Sequence, residues 1–242
     1  MAVQTYLNDK SRSWELFDSK VSRHYDQLSD VISLGLFRRW RQTLVRHLPA
    51  GSELNILDLA TGTGAIPLSM LKGASDRIST IVGVDLSKDM LAIFRSRIEG
   101  HPDAHKLNLQ YGDATNLSFE ADSFDAATMS CGLRNVGDHD ACAAEIFRTL
   151  KPGGRVIFLE PTLPTNPVMK GAYLTYFRHV VPTVASFISD RTAYRYFCDS
   201  VEAYMHGEDF LEFLSGHGFV NCQEVKLTLG AISLYIGEKP SK

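Results

Sequence analysis

The sequence predicts a doubly wound α/β fold, and three observations carry that expectation. Five short apolar runs, residues 54–60, 79–85, 107–111, 125–131 and 154–160, alternate with segments of helical period. The first run passes into "ILDLATGTGAIPLSM", Ile56 to Met70, laid out as a buried strand, a glycine turn and the start of a helix. The last stretch, "VKLTLGAISLYIGEKP", reads instead as two strands meeting at Gly230. The expected architecture is a mostly parallel, Rossmann-like sheet with helices on both faces and a C-terminal antiparallel hairpin at one edge.

The remaining elements follow in order. Residues 14–48 read as a helical arm, with Leu36, Trp40, Leu44 and Leu48 at fourfold spacing. In "SKDMLAIFRSRIEG", Ser87 is the expected N-cap, Met90, Phe94 and Ile98 share a stripe, and Gly100 ends the helix. In "DHDACAAEIFRTLKPGG", Asp138 caps, Cys142, Ile146 and Leu150 share a stripe, and Pro152 terminates. Residues 166–205 form an aromatic-rich, mostly helical cap insertion. The whole is read as one domain, 1–242: arm 1–50, ligand-binding core 51–165, cap 166–205, final helix and edge hairpin 206–242.

Composition narrows the function. A chain of 242 residues, 44% hydrophobic and 22% charged, can bury a sizeable core. A net charge of -3 offers no general attraction to nucleic acid or to an acidic membrane. Cys131, Cys142, Cys198 and Cys222 form no CxxC pair, which fits a reducing cytoplasm. The opening "MAVQTYLNDKSRSWELF" lacks the apolar stretch of a signal peptide, and no apolar run approaches the ~18 residues of a membrane span. The expected location is cytoplasmic, peripheral at most to the inner face of a membrane.

The glycine turn restricts the ligand. Asp58, Gly62, Thr63 and Gly64 frame it, and no Gly-Lys-Ser/Thr follows, so it is no Walker A loop. Pro67 occupies the place where a dinucleotide fingerprint has its third glycine. Asp85 lies 21 residues beyond Gly64, the spacing of a ribose-binding acid, and "GDAT" puts Asp113 and Ala114 after the third strand, where an adenine edge can be held. Taken singly, Asp85 could only cap the next helix and Asp113 could only form a turn. As a set, a helix N-terminus for a carboxylate, an acid for ribose and an acid for adenine describe S-adenosylmethionine, with no phosphate cradle and no metal.

These motifs match class I S-adenosylmethionine-dependent methyltransferases. Further stretches, "YDQLSDVISLGLFRRWR", "GDATNLSFEADSFDAATMSCGLRNV", "LKPGGRVIFLEP" and "AYRYFCDSV", resemble the ubiquinone/menaquinone biosynthesis C-methyltransferase family. The resemblance implies cofactor contacts at Thr63, Asp85, Asp113 with Ala114, and Ser130. It implies ring-carbon methylation of a polyprenylated quinol, with demethylmenaquinol the favoured acceptor. Three features depart from the family pattern: Ala65 in "ATGTGA", where an acid is usual, "YMHGEDF" and "LEPTLPTNP". They leave open another phenolic or small-metabolite acceptor, or a non-catalytic protein that keeps the cofactor turn as a scaffold.

Methylation of a quinol carbon needs a stabiliser for phenolate charge and a route for protons. Arg134 and Asn135 in "SCGLRNV" emerge after the fourth strand, where open α/β sheets bind ligands. Arg134 is expected to stabilise the phenolate and Asn135 to hold a water; the alternatives are a local ion pair and a helix cap. Tyr25 and Asp26 are candidate bases, with His206 in reserve. Tyr194 and Tyr196 are expected near the head group, below a channel for the prenyl tail. His101 and His105 are separated by Pro102 and are not read as metal ligands. "LFRRWRQTLVRHL" joins basic residues to Leu36, Phe37 and Trp40, which leaves open contact with an anionic membrane surface or simply a solvated basic face. The expected partner is thus a polyprenyl quinol, without nucleic acid; peripheral contact with a membrane surface and a homodimer are left open.

Overall fold

A computed structural model describes residues 25–183 and 191–241. The arm's residues 14–24, and the side chains of Tyr25 and Tyr194, lie outside what is described.

Seven strands form one sheet in the order β3-β2-β1-β4-β5-β7-β6. They are β1 Leu54–Leu59, β2 Ile78–Asp85, β3 Leu107–Tyr111, β4 Phe124–Ser130, β5 Leu150–Pro161, β6 Val220–Leu227 and β7 Ile232–Glu238. β1 to β5 pair in parallel, while β7 runs antiparallel to both neighbours. β1 and β4 are adjacent although distant in sequence, so the connections leaving their ends diverge and open a crevice there.

Burial on both faces explains the near-continuous apolar strands. Leu57, Leu59, Val82, Val84 and Met129 pack with Cys142 and Ile146 of one helix and Phe210 and Leu214 of another. Ile56, Ile81, Ala126 and Ile157 pack on the opposite face with Leu44, Val45 and Leu48 and with Ile66, Met70 and Leu71. The helices are α1 Tyr25–Ile32, α2 Phe37–Arg46, α3 Ala65–Ala74, α4 Lys88–Ile98, α5 His139–Thr149, α6 Pro167–Thr175, α7 Arg191–Ala203 and α8 Glu208–Gly216. Ser87 accepts from the Met90 amide and Asp138 from the Ala141 amide, as the capping pattern predicts.

Two element boundaries differ from the sequence reading. The arm is two helices, because Leu34 and Gly35 both take left-handed backbone (φ 53° and 75°) and Ser33 Oγ then accepts from the Phe37 amide at 3.2 Å, opening α2. Helix α5 stops at Thr149, before Pro152, and β5 begins at once at Leu150; a register shift between Phe124 and Ala126 absorbs Pro152 and the glycines that follow.

The cap is tied to the arm by aromatic packing. Tyr173 stacks on Phe177 at 4.2 Å, Phe177 on Phe197 at 5.5 Å, and Leu28 of α1 joins this cluster. Tyr176 Oη donates to the Ile32 carbonyl at 2.8 Å. Trp40 Nε1 donates to Thr228 Oγ1 at 2.8 Å, fastening the arm to the hairpin turn.

Candidate functional site

Three cavities lie in a row along the C-terminal edge of the parallel strands. An outer cleft runs along Gly112–Thr115, Val84 and Val136. It shares Ala60, Asp85, Gly132 and Asn135 with a central pocket, whose other walls include Gly62, Thr63, Ser87, Met90, Ser130, Arg41 and Arg134. The central pocket in turn shares Ser29, Phe37 and Cys131 with an apolar cavity of about 230 Å³ between arm, cap and hairpin. The row changes from polar to apolar along its length.

The central pocket is shaped by the glycine turn and its fastenings. Gly64 has φ 82° and caps α3 without a side chain; a Cβ there would fall 2.1 Å from the Phe94 ring. Pro67, third in α3, costs no hydrogen bond, because an amide in the first turn has no helical partner. Asp85 takes the Gly62 amide on one oxygen at 2.7 Å and the Ser87 amide on the other at 2.8 Å, joining the turn to the end of β2. Ala60 and Cys131, each just past its strand, hold left-handed backbone (φ 48° and 53°), strain of the kind concentrated at ligand sites.

Asp58 behaves differently from its expected part as a cofactor ligand. It lines none of the three cavities: it is buried below the turn, where Thr61 and Thr128 donate to its two oxygens at 2.6 and 2.5 Å. Burial pushes its carboxyl up to about 7, against those two hydroxyls. Gly64 likewise acts through packing. Thr63 and Ser130 line the central pocket, and Asp113 and Ala114 line the outer cleft, where Asp113 Oδ1 accepts from the Thr115 amide and hydroxyl at 2.9 Å.

The residues read as catalytic are brought together, but most are already engaged. Arg134 is buried, with Nη1 donating to the Cys131 carbonyl, Glu160 at 3.5 Å, Ser200 Oγ 3.3 Å from Nε and the Phe197 ring 4.9 Å from the guanidinium carbon. Burial pushes Glu160 up to about 7, opposed by Arg134. The expectation that Arg134 meets the phenolate gives way to the local ion pair: it knots β4, β5 and α7. Asn135 borders both polar cavities and accepts from Tyr196 Oη at 3.1 Å. Tyr196 is fully buried and lines none of the cavities, so it supports Asn135 rather than facing a head group. His206, half-buried, also lines none of them, and burial lowers its pKa.

Asp26 enters the central pocket from the arm. Both its oxygens accept from Thr63 Oγ1, at 2.9 and 3.0 Å, and Arg97 pairs with it while donating to the Thr63 carbonyl at 2.9 Å. Sequence reading missed Arg97 and Arg41. Arg41 sits within "FRRWR", whose period aligns it with Phe37 and Val45 on the inward face; that alignment was the available signal.

The apolar cavity is walled by Phe37, Trp40, Tyr173, Tyr176, Phe177 and Phe197, with Leu34, Leu36, Ile232 and others. The apolar residues of "LFRRWRQTLVRHL" therefore face inward, and the surface it offers is chiefly basic: Arg38 is 77% exposed. Leu34 and Leu229, 76% and 72% exposed, are the bare apolar side chains of the two loops bordering the cavity. No helix among the described residues is long and apolar enough to cross a membrane.

A parallel sheet with its β7 reversal, a glycine turn after β1, and acids at the ends of β2 and β3 define a Rossmann-like methyltransferase fold. Solved structures agree on that fold. A phosphoethanolamine N-methyltransferase 2 of Haemonchus contortus, in complex with phosphomonomethylethanolamine and S-adenosylhomocysteine, superposes with a TM-score of 0.62 at 17% identity, over 86% of this chain and 57% of that one. The [4+2]-cyclase SpnF superposes with a TM-score of 0.53 at 20% identity, over 85% and 82%. The profile of the ubiE/COQ5 methyltransferase family matches residues 5–239, and the chain belongs to that family. A ubiquinone/menaquinone biosynthesis C-methyltransferase UbiE of Syntrophotalea carbinolica is 40% identical over 92% of both chains. One of Geotalea daltonii is 36% identical over 93% of this chain and 95% of its own. A demethylmenaquinone methyltransferase of Bacteroides fragilis is 33% identical over 98% of this chain and 97% of its own. The protein is a methyltransferase, and S-adenosylmethionine is its cofactor.

Proposed function

We propose that the protein methylates a ring carbon of a polyprenylated quinol, converting demethylmenaquinol to menaquinol. The observation that carries this reading is the shared wall of Ser29, Phe37 and Cys131: a polar pocket for the donor opens onto an apolar, aromatic cavity suited to a ring with an isoprenoid tail. The names of the relatives from Syntrophotalea carbinolica and Bacteroides fragilis point the same way.

In this reading the adenine lies in the outer cleft beside Asp113 and Ala114, and Asp85 takes the ribose hydroxyls. Thr63 and Ser130 face the amino-acid end. When bound, the donor supplies an electrophilic methyl group on a sulfonium. The protein aligns the acceptor with it, a contribution worth roughly 7–11 kcal/mol in favourable cases. Asn135 orients the quinol hydroxyl or a water on it, steadied by Tyr196. Arg134 is a positioning residue that sets the Cys131–Asn135 turn. Asp26, on the same helix as Ser29 and one turn away, receives the proton released as the ring regains aromaticity. Leu34 and Leu229, with Arg38 and Arg39 beside them, rest on an anionic membrane surface so that the tail enters from lipid.

Incubation with methyl-labelled donor and either demethylmenaquinol or a demethylated benzoquinol tests the acceptor. Label on the naphthoquinol ring is expected. Label on the benzoquinol alone, or on another metabolite from a quinone-free extract, would move the assignment.

A further inference from the structure

We propose that Arg41, carried by the N-terminal arm, grips the α-carboxylate of the donor's amino-acid tail. The inference rests on S-adenosylmethionine as donor and is independent of which acceptor is used.

Arg41 lines the central pocket together with Thr63 of the glycine turn and with Ala65 and Ile66, the first residues of α3. Its side chain is 12% exposed, and its guanidinium carbon lies 5.1 Å from the centre of the Phe37 ring. The Nε atom is buried without a hydrogen-bond partner. The carboxylate paired with it, Asp30, stands 3.6 Å from Nη2, beyond ordinary hydrogen-bonding distance. Burial lowers its pKa, opposed by the charges of Asp26 and Asp30. A guanidinium drawn out of water with a donor unmet is costly unless a ligand oxygen completes it.

The donor provides that oxygen in the right compartment. With the adenosine end at Asp113 and Asp85, the amino-acid end extends past Asp85 toward Thr63, Ser130 and Cys131, the side on which Arg41 stands. The other acidic groups of this pocket, Asp26 and Asp85, would repel a carboxylate. Arg134 is committed to Glu160 and the Cys131 carbonyl. The α3 N-terminus, uncapped by any side chain, offers free amides but only about half an elementary charge, short of a full cationic partner. A planar guanidinium can take both oxygens of a carboxylate, which a lysine cannot. The arm would then be a wall of the donor site and not solely a cover for the acceptor.

Calorimetric titration of the full chain with S-adenosylhomocysteine and with 5′-methylthioadenosine, which lacks the amino-acid end, separates this role from general support. For Arg41→Met, binding of the homocysteine compound should weaken about 10- to 100-fold, while the methylthio compound changes less than about twofold. Arg41→Lys should fall between. An equal loss for both compounds would make Arg41 a prop of the pocket. An undiminished affinity for the homocysteine compound, with or without slower turnover, would put the guanidinium on the acceptor or on neither ligand. Either result overturns the proposal, whereas failure of the wild-type protein to bind either compound would strike at the donor assignment itself.

Discussion

On the proposed reading, the donor end and the acceptor end of this site are built by different means. The donor pocket is made of strand ends and one turn, joined by short hydrogen bonds: Asp58 to Thr61 and Thr128, Asp85 to Gly62 and Ser87. The acceptor cavity is made where three distant segments meet, the arm, the cap and the hairpin, and it is held chiefly by ring packing around Phe177. Hydrogen-bonded strand ends fix atoms closely. Packed aromatics fix a volume, which tolerates a long apolar tail and can be reshaped without disturbing the sheet.

If the two ends are separable, damage to one should spare the other. Gly64→Ala forces a methyl group into the Phe94 ring at a left-handed position, at a cost of roughly 2–5 kcal/mol from overpacking and backbone strain together. Donor binding by calorimetry should be lost and the denaturation midpoint should drop sharply. Phe177→Ala removes the centre of the arm–cap cluster and should cost about 2–4 kcal/mol. Its donor affinity should stay within about threefold of wild type while the quinol KM rises; an equal loss of donor binding would show the two ends to be one unit.

Asp58 sharpens the contrast through pH. Its folded carboxyl keeps a proton to about pH 7, whereas an unfolded one releases it near 3.8. Its contribution to stability is therefore complete below that lower value and is lost as pH rises through about 7. Asp58→Asn keeps an acceptor for the threonines and cannot ionise. Urea unfolding at pH 5 and pH 8 should show the wild type losing on the order of 2 kcal/mol more than the variant between the two. Equal slopes would mean that the carboxyl titrates normally. The smallest effect is expected at the cavity's mouth, where Leu34→Ser with Leu229→Ser should lower flotation with anionic vesicles about tenfold and leave donor binding untouched. Unchanged flotation would remove the membrane contact.

The sequence revealed these two regions unequally. Each parallel strand was legible within a few residues because doubly buried strands read as apolar runs, and Ser87 and Asp138 announced their helices by capping chemistry. The glycine turn after β1 was legible as a turn for the same local reason: its glycines, Asp85 and Asp113 stand at or just past strand ends at recognisable spacing. Arg134 illustrates the limit. Nothing local indicates that Glu160, 26 residues away, will take up its charge, because that pairing exists only once β4 and β5 align. Arg41 was hidden among neighbouring arginines, of which Arg38 points to water while Arg41 turns inward. Asp58 looked like a ligand because it precedes the turn; it belongs to β1, which is covered on both faces, and so lies below the surface instead.

The bond between Trp40 and Thr228 has a practical consequence. It pins an indole in the wall of the apolar chamber, and the chain's other tryptophan is Trp14. In a Trp14→Phe variant, indole emission excited apart from the nine tyrosines should act as an optical gauge of occupancy, expected to dim as a quinone enters and to brighten as it leaves, with no isotope or chromophoric tag attached.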